Sequence, residues 1–98
     1  MIQIRLLHSA LEDLDLGRRF YDQQSEGLGA QFLDSLLAEI DSLARYVGIH
    51  KQVFGYHRLL AQHFPFAIYY KTDEESGVLV YRVLDLRQSP HSVRKALH

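Results

Sequence analysis

Tyrosines and basic residues recur together at alternating positions in the second half of the chain. The six residues are Tyr56 and Arg58, Tyr69 and Lys71, and Tyr81 and Arg87. Because side chains alternate between the two faces of a strand, this spacing predicts that all six share one face of a sheet. Aromatic rings beside cations can stack on nucleic-acid bases or anchor a protein partner. The alternative is a plain solvated face, on which tyrosines suit the strands and cations maintain solubility.

Other chemical groups give no comparable pattern. The chain has no cysteine, which excludes a disulfide framework, a zinc knuckle and a thiolate nucleophile. The spacing of His50, His57 and His63 matches no common zinc or iron site. Phosphate-binding glycine loops, Ser/His/Asp orders and HExxH motifs are absent from the sequence. We therefore expect neither a metal nor a cofactor.

Charge divides the chain into an acidic half and a basic half. Residues 1–48 contain four Lys/Arg and eight Asp/Glu, a net of −4, whereas residues 49–98 contain seven and four, a net of +3. The second half also carries five of the six histidines, which add positive charge as the pH falls toward 6. The overall charge of −1 argues against a uniformly basic nucleic-acid binder, but an acidic partner would meet the C-terminal half.

Length and composition predict one globular domain over residues 1–98. The hydrophobic fraction is 47% and the charged fraction 23%, typical of a protein with a single apolar core. No apolar run approaches the roughly 18 residues needed to span a bilayer, and the N-terminus does not resemble a signal peptide. A cytoplasmic location, without membrane association, is the default expectation.

The hydrophobic periodicity predicts a helical hairpin after an initial strand. Residues 2–7 form a short apolar run, and Ser9 with Glu12 fits a capping box at the start of a helix that reaches about Gln24. After a break with two glycines, apolar residues recur at three- and four-residue steps up to Gly48. Two helices joined by so short a loop should be antiparallel.

The period then changes to that of strands. Residues 53–60, 64–71 and 78–87 predict a three-stranded antiparallel meander, and Ser89-Pro90 predicts the cap and first residue of a short C-terminal helix. The fold class is therefore α+β: an N-terminal strand and a helical hairpin packed on a mainly antiparallel four-stranded sheet. Alternation places Arg82 on the apolar face, where we expect it to pair with Asp13, Glu39 or Asp41.

This order of elements resembles the RelE/ParE superfamily of bacterial toxins from type II toxin–antitoxin systems. The stretches that carry the resemblance are residues 10–14 and 20–21 on the first helix, 29–33 on the second, and 56–59, 64–70 and 80–90 on the strands. The resemblance implies a RelE/ParE-like fold and a role of the kind called plasmid stabilization. It also implies a toxin, monomeric or homodimeric when free, that a cognate antitoxin protein neutralises by wrapping around it.

One branch of the superfamily consists of mRNA interferases, which cleave mRNA on the ribosome. Their reaction needs a base for the ribose 2′-hydroxyl proton and cations for the developing charge. The resemblance maps their active-site positions onto Tyr56, Arg58, Ala67, Arg87 and Val93, of which the alanine and the valine cannot do this chemistry. If the chain is a nuclease, its catalytic residues would be Arg58, Arg87 and Tyr56, with His91 as a substitute acid or base.

The other branch, resembling ParE, poisons DNA gyrase by protein contact and needs no catalytic set. The two lost nuclease positions, the long helical hairpin and the near-neutral charge favour this non-enzymatic branch. A protein-interaction module that only retains the fold is a third possibility. The residues expected to bind a partner or target are Tyr56, Arg58, Tyr69, Lys71, Tyr81, Arg87 and Arg94.

Overall fold

The computed structural model describes residues 2–75 and 77–98. Met1 and Ser76, which the sequence assigns to the N-terminus and to the last hairpin turn, lie outside the described residues. The elements are β1 (Ile4–Leu6), α1 (His8–Gln24), α2 (Leu28–Asp41) with a 3₁₀ turn (Ser42–Ala44), β2 (Gln52–Val53), β3 (Tyr56–Leu60), β4 (Phe66–Asp73), β5 (Gly77–Asp85) and α3 (Pro90–Leu97). The described strands form one sheet in the order β1-β5-β4-β3-β2.

Helix α1 begins one residue before the predicted cap. Leu7 is its N-cap and offers no side-chain hydrogen bond. The Ser9 hydroxyl instead donates to the Tyr81 carbonyl oxygen at 2.9 Å, so the predicted capping box is wrong. Because this hydroxyl joins α1 to β5, a residue type that commonly caps helices here serves a tertiary contact.

The two long helices approach each other closely at Gly17. A Cβ atom at this position would lie 2.5 Å from Cζ of Phe32, far inside van der Waals contact. At the loop between the helices, the Asp22 carboxylate accepts hydrogen bonds from the backbone N–H groups of Gly27 and Gly29, at 3.1 and 3.3 Å. Gly29 on α2 is equally close to α1, since a Cβ there would overlap the Arg18 carbonyl oxygen. The predicted antiparallel hairpin therefore depends on two glycines and on the carboxylate that holds its turn.

The sheet has five strands in the described residues rather than the predicted four. Segment 53–60 is interrupted at Phe54 and Gly55, whose φ angles of 55° and 84° turn the chain and create β2 and β3. Strand β1 pairs in parallel with β5, while the other three pairings are antiparallel. The mainly antiparallel character is confirmed. The predicted number of strands is wrong because Phe54 adopts a left-handed backbone conformation, in which a turn replaces the continuous strand.

A bulge in β5 changes which face its residues occupy. Tyr69 pairs with Arg82 but Tyr70 pairs with Val80, so Tyr81 is the extra residue. Val78 and Val80 pack toward the helical hairpin as predicted, but so does Val83, and Leu84 joins the opposite core. The predicted faces are therefore wrong beyond Tyr81, because strict alternation does not survive an inserted residue.

Two apolar cores lie on opposite faces of the sheet. The larger one lies under α1 and α2 and contains Phe32, Leu36, Ile68 and Tyr70, together with Val78, Val80 and Val83. The smaller one lies under α3. Helix α3 begins as predicted: Pro90 is its first residue, and the Ser89 hydroxyl accepts from the backbone N–H of Ser92 at 3.1 Å. The molecule is thus a three-layer sandwich, with the face that was predicted to be free covered by α3.

Candidate partner-binding surfaces

Tyr69 is not on a free surface. Its side chain is 2% exposed and belongs to the smaller core, with Ala67, Leu84, Val93 and Leu97. The prediction that it contacts a partner directly is wrong for this structure, because α3 packs over that part of the sheet. The sequence predicted α3 but gave no signal for the face on which it docks.

Tyr56, Lys71 and Tyr81 lie together, as alternation predicts. The Lys71 ammonium is 4.6 Å from the ring centroid of Tyr56 and 5.6 Å from that of Tyr81, and the two rings meet edge to face at 5.0 Å. Tyr56 is 8% exposed, and its hydroxyl donates to the Leu97 carbonyl oxygen at 2.8 Å. The two rings therefore contact each other and Lys71, and the buried Tyr56, which also holds α3, offers no platform for bases.

Arg58 and Arg94 remain accessible on the α3 side of the sheet. Arg58 is half-buried opposite Tyr69 in the β3–β4 register, and Arg94 is exposed on α3 with its guanidinium 6.0 Å from the Phe54 ring. Neither forms a salt bridge within residues 2–75 and 77–98. Arg58 lies on the sheet face that alternation predicts, and the predicted binding role of both cations stays a prediction.

Arg87 lies elsewhere, beside α1. Its guanidinium forms a bidentate salt bridge with Asp85, with Nη2–Oδ2 at 2.6 Å and Nε–Oδ1 at 2.9 Å, and lies 5.9 Å from the centre of the Phe20 ring. The hydrogen bonds from Arg87 lower the pKa of the Asp85 carboxyl. The predicted position of Arg87 on the tyrosine face is wrong, because the bulge at Tyr81 redirects the end of β5.

The positions that match the nuclease branch differ in their burial and in their partners. Ala67 and Val93 are buried in the smaller core, and the Tyr56 hydroxyl is bonded to the backbone of α3. Arg87 is paired with Asp85 next to α1, while His91 is exposed on α3. Of the groups that the cleavage reaction would need, the Tyr56 hydroxyl and the Arg87 guanidinium are therefore already bound within the protein.

Arg82 pairs with Asp13, one of the three carboxylates named from the sequence. Arg82 Nε donates to Asp13 Oδ2 at 2.7 Å and Nη2 to Oδ1 at 2.8 Å. Its third nitrogen donates to the Ala96 carbonyl oxygen at 2.9 Å. The hydrogen bond to Asp13 raises the pKa of Arg82. This residue connects α1, β5 and α3, a junction that the sequence did not reveal.

An open apolar groove of about 490 Å³ runs between α1 and the end of β5. Leu16 and Phe20, one helical turn apart on α1, are 64% and 44% exposed and form one wall. Phe66 and Leu84 line its floor, and Arg87 stands at its rim. Sequence analysis missed this groove, although two large apolar residues at i and i+4 on the outer side of α1 were its visible signal.

His50 and His57 form a polar cluster with Tyr70 rather than a metal site. The Tyr70 hydroxyl accepts a hydrogen bond from the backbone N–H of Gly48 at 3.2 Å and is hydrogen-bonded to Nδ1 of His50 at 2.5 Å. The His57 ring stacks on Tyr70 with centroids 5.1 Å apart. Among the described residues, no group of three or more His, Cys, Asp or Glu side chains could hold a metal ion.

The helical hairpin on one face of the sheet and the short C-terminal helix on the other give the α+β, RelE/ParE-like architecture that the sequence resemblance implied. Residues 4–90 match the family described as "ParE toxin of type II toxin-antitoxin system, parDE", and the chain belongs to that family.

Among solved structures, the fold is similar to a chain from the "Chromosomal ParDE TA system from P. aeruginosa". The TM-score is 0.76 at 15% identity, and the alignment covers 89% of this chain and 98% of that chain. A search of curated proteins finds no match. In the described part of the chain, no helix combines the length and the apolar character that crossing a membrane requires.

Proposed function

We propose that this ParE-family toxin acts without catalysis, by binding DNA gyrase, and that a cognate antitoxin neutralises it. Membership of the family and the fold shared with a ParDE system support the toxin–antitoxin part of this proposal. The gyrase target is the one that the resemblance to ParE-like members implies.

The observation that carries the non-enzymatic part is the state of the nuclease positions. Ala67 is 0% exposed and Val93 is 7% exposed, so both lie in an apolar contact between sheet and helix. A substrate phosphate placed there would displace α3 and meet no acid or base. Two of the required cations are separated, since Arg58 lies on the α3 side of the sheet while Arg87 is held by Asp85 near α1.

For the antitoxin, the groove of Leu16 and Phe20 is the contact that we propose. Its exposed apolar walls suit the apolar side of an amphipathic segment. A small acidic-to-amphipathic protein encoded next to this chain is the expected partner.

A gyrase assay tests the target. Purified protein should inhibit supercoiling by gyrase and accumulate cleaved DNA, while the same preparation leaves in vitro translation intact. To measure contact with the enzyme itself, gyrase should be captured on the immobilised toxin in nuclease-treated buffer that contains no DNA. If saturating toxin neither inhibits supercoiling nor captures gyrase, the target is wrong. Codon-linked mRNA cuts in the translation reaction would instead show an endoribonuclease.

Co-purification tests the antitoxin contact. The product of the adjacent reading frame should co-purify with the wild-type chain, and Leu16→Glu with Phe20→Glu should abolish this because two charges enter the groove. Leu11→Glu is the matched control, since Leu11 is 51% exposed on the same helix but does not line the groove. Equal retention of the partner by both variants would exclude the groove as its site.

A further inference from the structure

Basic side chains form a continuous stripe on the exposed face of α3. The stripe consists of His91, Arg94 and Lys95 on α3 and of His98, its C-cap, all exposed, at positions i, i+3, i+4 and i+7. This spacing places them on one side of a helix, and together they line a shallow surface depression. Val93 and Leu97 lie on the buried side of the same helix, so packing against the sheet fixes the direction of the stripe.

The stripe continues onto the adjoining sheet. Arg58 and Lys71 lie on the same side of the sheet as α3, and Arg94 reaches toward Phe54 next to β3. Within the described residues, neither Arg58 nor Arg94 forms a salt bridge. The arginines that do are Arg18, Arg19, Arg82 and Arg87. The cations of the α3 side are therefore not neutralised by carboxylates of the protein.

Acidic residues are concentrated on the opposite layer. Helices α1 and α2 carry most of the carboxylates of the first half of the chain, which has a net charge of −4. The sheet separates this acidic layer from α3, so the molecule presents a negative and a positive side. A polyanion that approaches the protein would be attracted to the α3 side and repelled from the helical hairpin.

From this arrangement we infer that the α3 side binds the phosphate backbone of duplex DNA. The stripe spans about 10 Å at a rise of about 1.5 Å per residue, enough to follow successive phosphates along one strand. Duplex is favoured over single strands because single-strand binding relies on exposed aromatic rings. Here Tyr69 is buried, and the rings of Tyr56 and Tyr81 contact each other and Lys71. The Phe54 ring, 38% exposed and 6.0 Å from the Arg94 guanidinium, is one exposed ring beside the stripe and not a series on which successive bases would stack. Binding through phosphates alone is independent of sequence.

This inference goes beyond gyrase binding, and its test needs no gyrase. Fluorescence anisotropy of a labelled 20-base-pair duplex should show binding by the full chain at 50 mM salt that weakens strongly at 200 mM. In the double variant Arg94→Gln with Lys95→Gln, the affinity at 50 mM salt should fall at least about tenfold. The negative slope of log K against log salt should become shallower by about 1.8. The control is Arg19→Gln with Arg45→Gln, which removes the same charge from exposed residues of the helical half and should leave binding unchanged.

Three results would overturn the inference. Equal losses in the two double variants would mean that net charge alone matters. Tighter binding to the single strand of the same sequence, or to poly-glutamate, would assign the stripe to another ligand. No binding of the wild-type chain to the duplex at 50 mM salt would exclude a DNA site altogether. Thermal unfolding of both variants should match the wild type, because all four substituted side chains are exposed.

Discussion

Arg82 and Asp13 meet in a two-pronged ion pair, with nitrogen–oxygen distances of 2.7 and 2.8 Å, although 69 residues separate them in the chain. The side chains are 27% and 11% exposed. The same carboxylate accepts the backbone N–H of Val83 at 3.0 Å, and the same guanidinium donates to the Ala96 carbonyl oxygen. One pair of side chains therefore holds the helical hairpin, the sheet and the C-terminal helix together.

Asp13→Ala should cost about 3 kcal/mol in the free energy of unfolding, because it leaves a half-buried guanidinium and a backbone N–H without their acceptor. Urea denaturation at pH 7 would measure it. Asp15→Ala is the matched control on the same helix, where the carboxylate pairs with Arg18 and Arg19 in solvent. Its midpoint should stay close to the wild-type value, and equal losses in both variants would contradict the assignment of a structural junction to Asp13.

The contact between Gly17 and Phe32 leads to a second prediction. Gly17→Ala should destabilise the protein by about 1–3 kcal/mol, because the new Cβ would overlap the Phe32 ring and outweigh the gain in helix propensity. Phe32→Leu alone should also destabilise, by leaving a cavity. Combined, the two changes should cost less than the sum of the single losses, since the smaller side chain makes room. Simple additivity in thermal unfolding would show that the two residues do not share this contact.

Local patterns in the sequence were sufficient for much of the fold. The amphipathic repeat of α2 and the Ser89-Pro90 start of α3 are determined by neighbouring residues, and both are found in the structure. Alternation also gives the correct faces of β3 and β4, where Tyr56 and Tyr69 lie opposite Leu59 and Tyr70.

Features that depend on contacts distant in the chain could not be predicted in the same way. The bulge at Tyr81 follows from how β5 fits β4, and no residue type in β5 marks it. The docking of α3 depends on Tyr56 and Arg82, which lie 41 and 14 residues before their acceptors. Both features bear on the candidate site, because one moved Arg87 to the helical side and the other buried Tyr69.

His50 gives the folded state a dependence on pH. Burial, and then the neighbouring His57, lower the pKa of His50 below its usual value of 6.5. The unfolded chain therefore binds this proton more readily than the folded one, and stability should fall as the pH drops below about 6.5. The carboxylate of Glu39 opposes this shift only partly. Urea midpoints measured from pH 7.5 down to 5.5 would follow the change.

Substitution of single histidines would assign that pH dependence. His50→Gln should be less stable than the wild type at pH 7.5, since the Tyr70 hydroxyl loses its short hydrogen bond to the imidazole, but its stability should depend less on pH. His91→Gln, on the exposed face of α3, should keep the wild-type dependence. A His50→Gln profile parallel to that of the wild type would place the titrating group elsewhere.

Tyr56 anchors the last residue of α3, and its removal should loosen that helix selectively. The buried hydroxyl donates to the Leu97 carbonyl oxygen at 2.8 Å, so Tyr56→Phe should cost about 1 kcal/mol and leave that carbonyl without its partner. Hydrogen exchange resolved by residue should then accelerate in α3, while α1 and α2 keep their protection because they pack on the other face of the sheet. Tyr46→Phe, at a ring that is 52% exposed, is the control and should leave the exchange rates of α3 and of α1 and α2 unchanged. Uniform acceleration along the chain in Tyr56→Phe would mean that α3 unfolds only together with the whole domain. The hydrogen bond from Tyr56 would then not control the opening of α3 by itself.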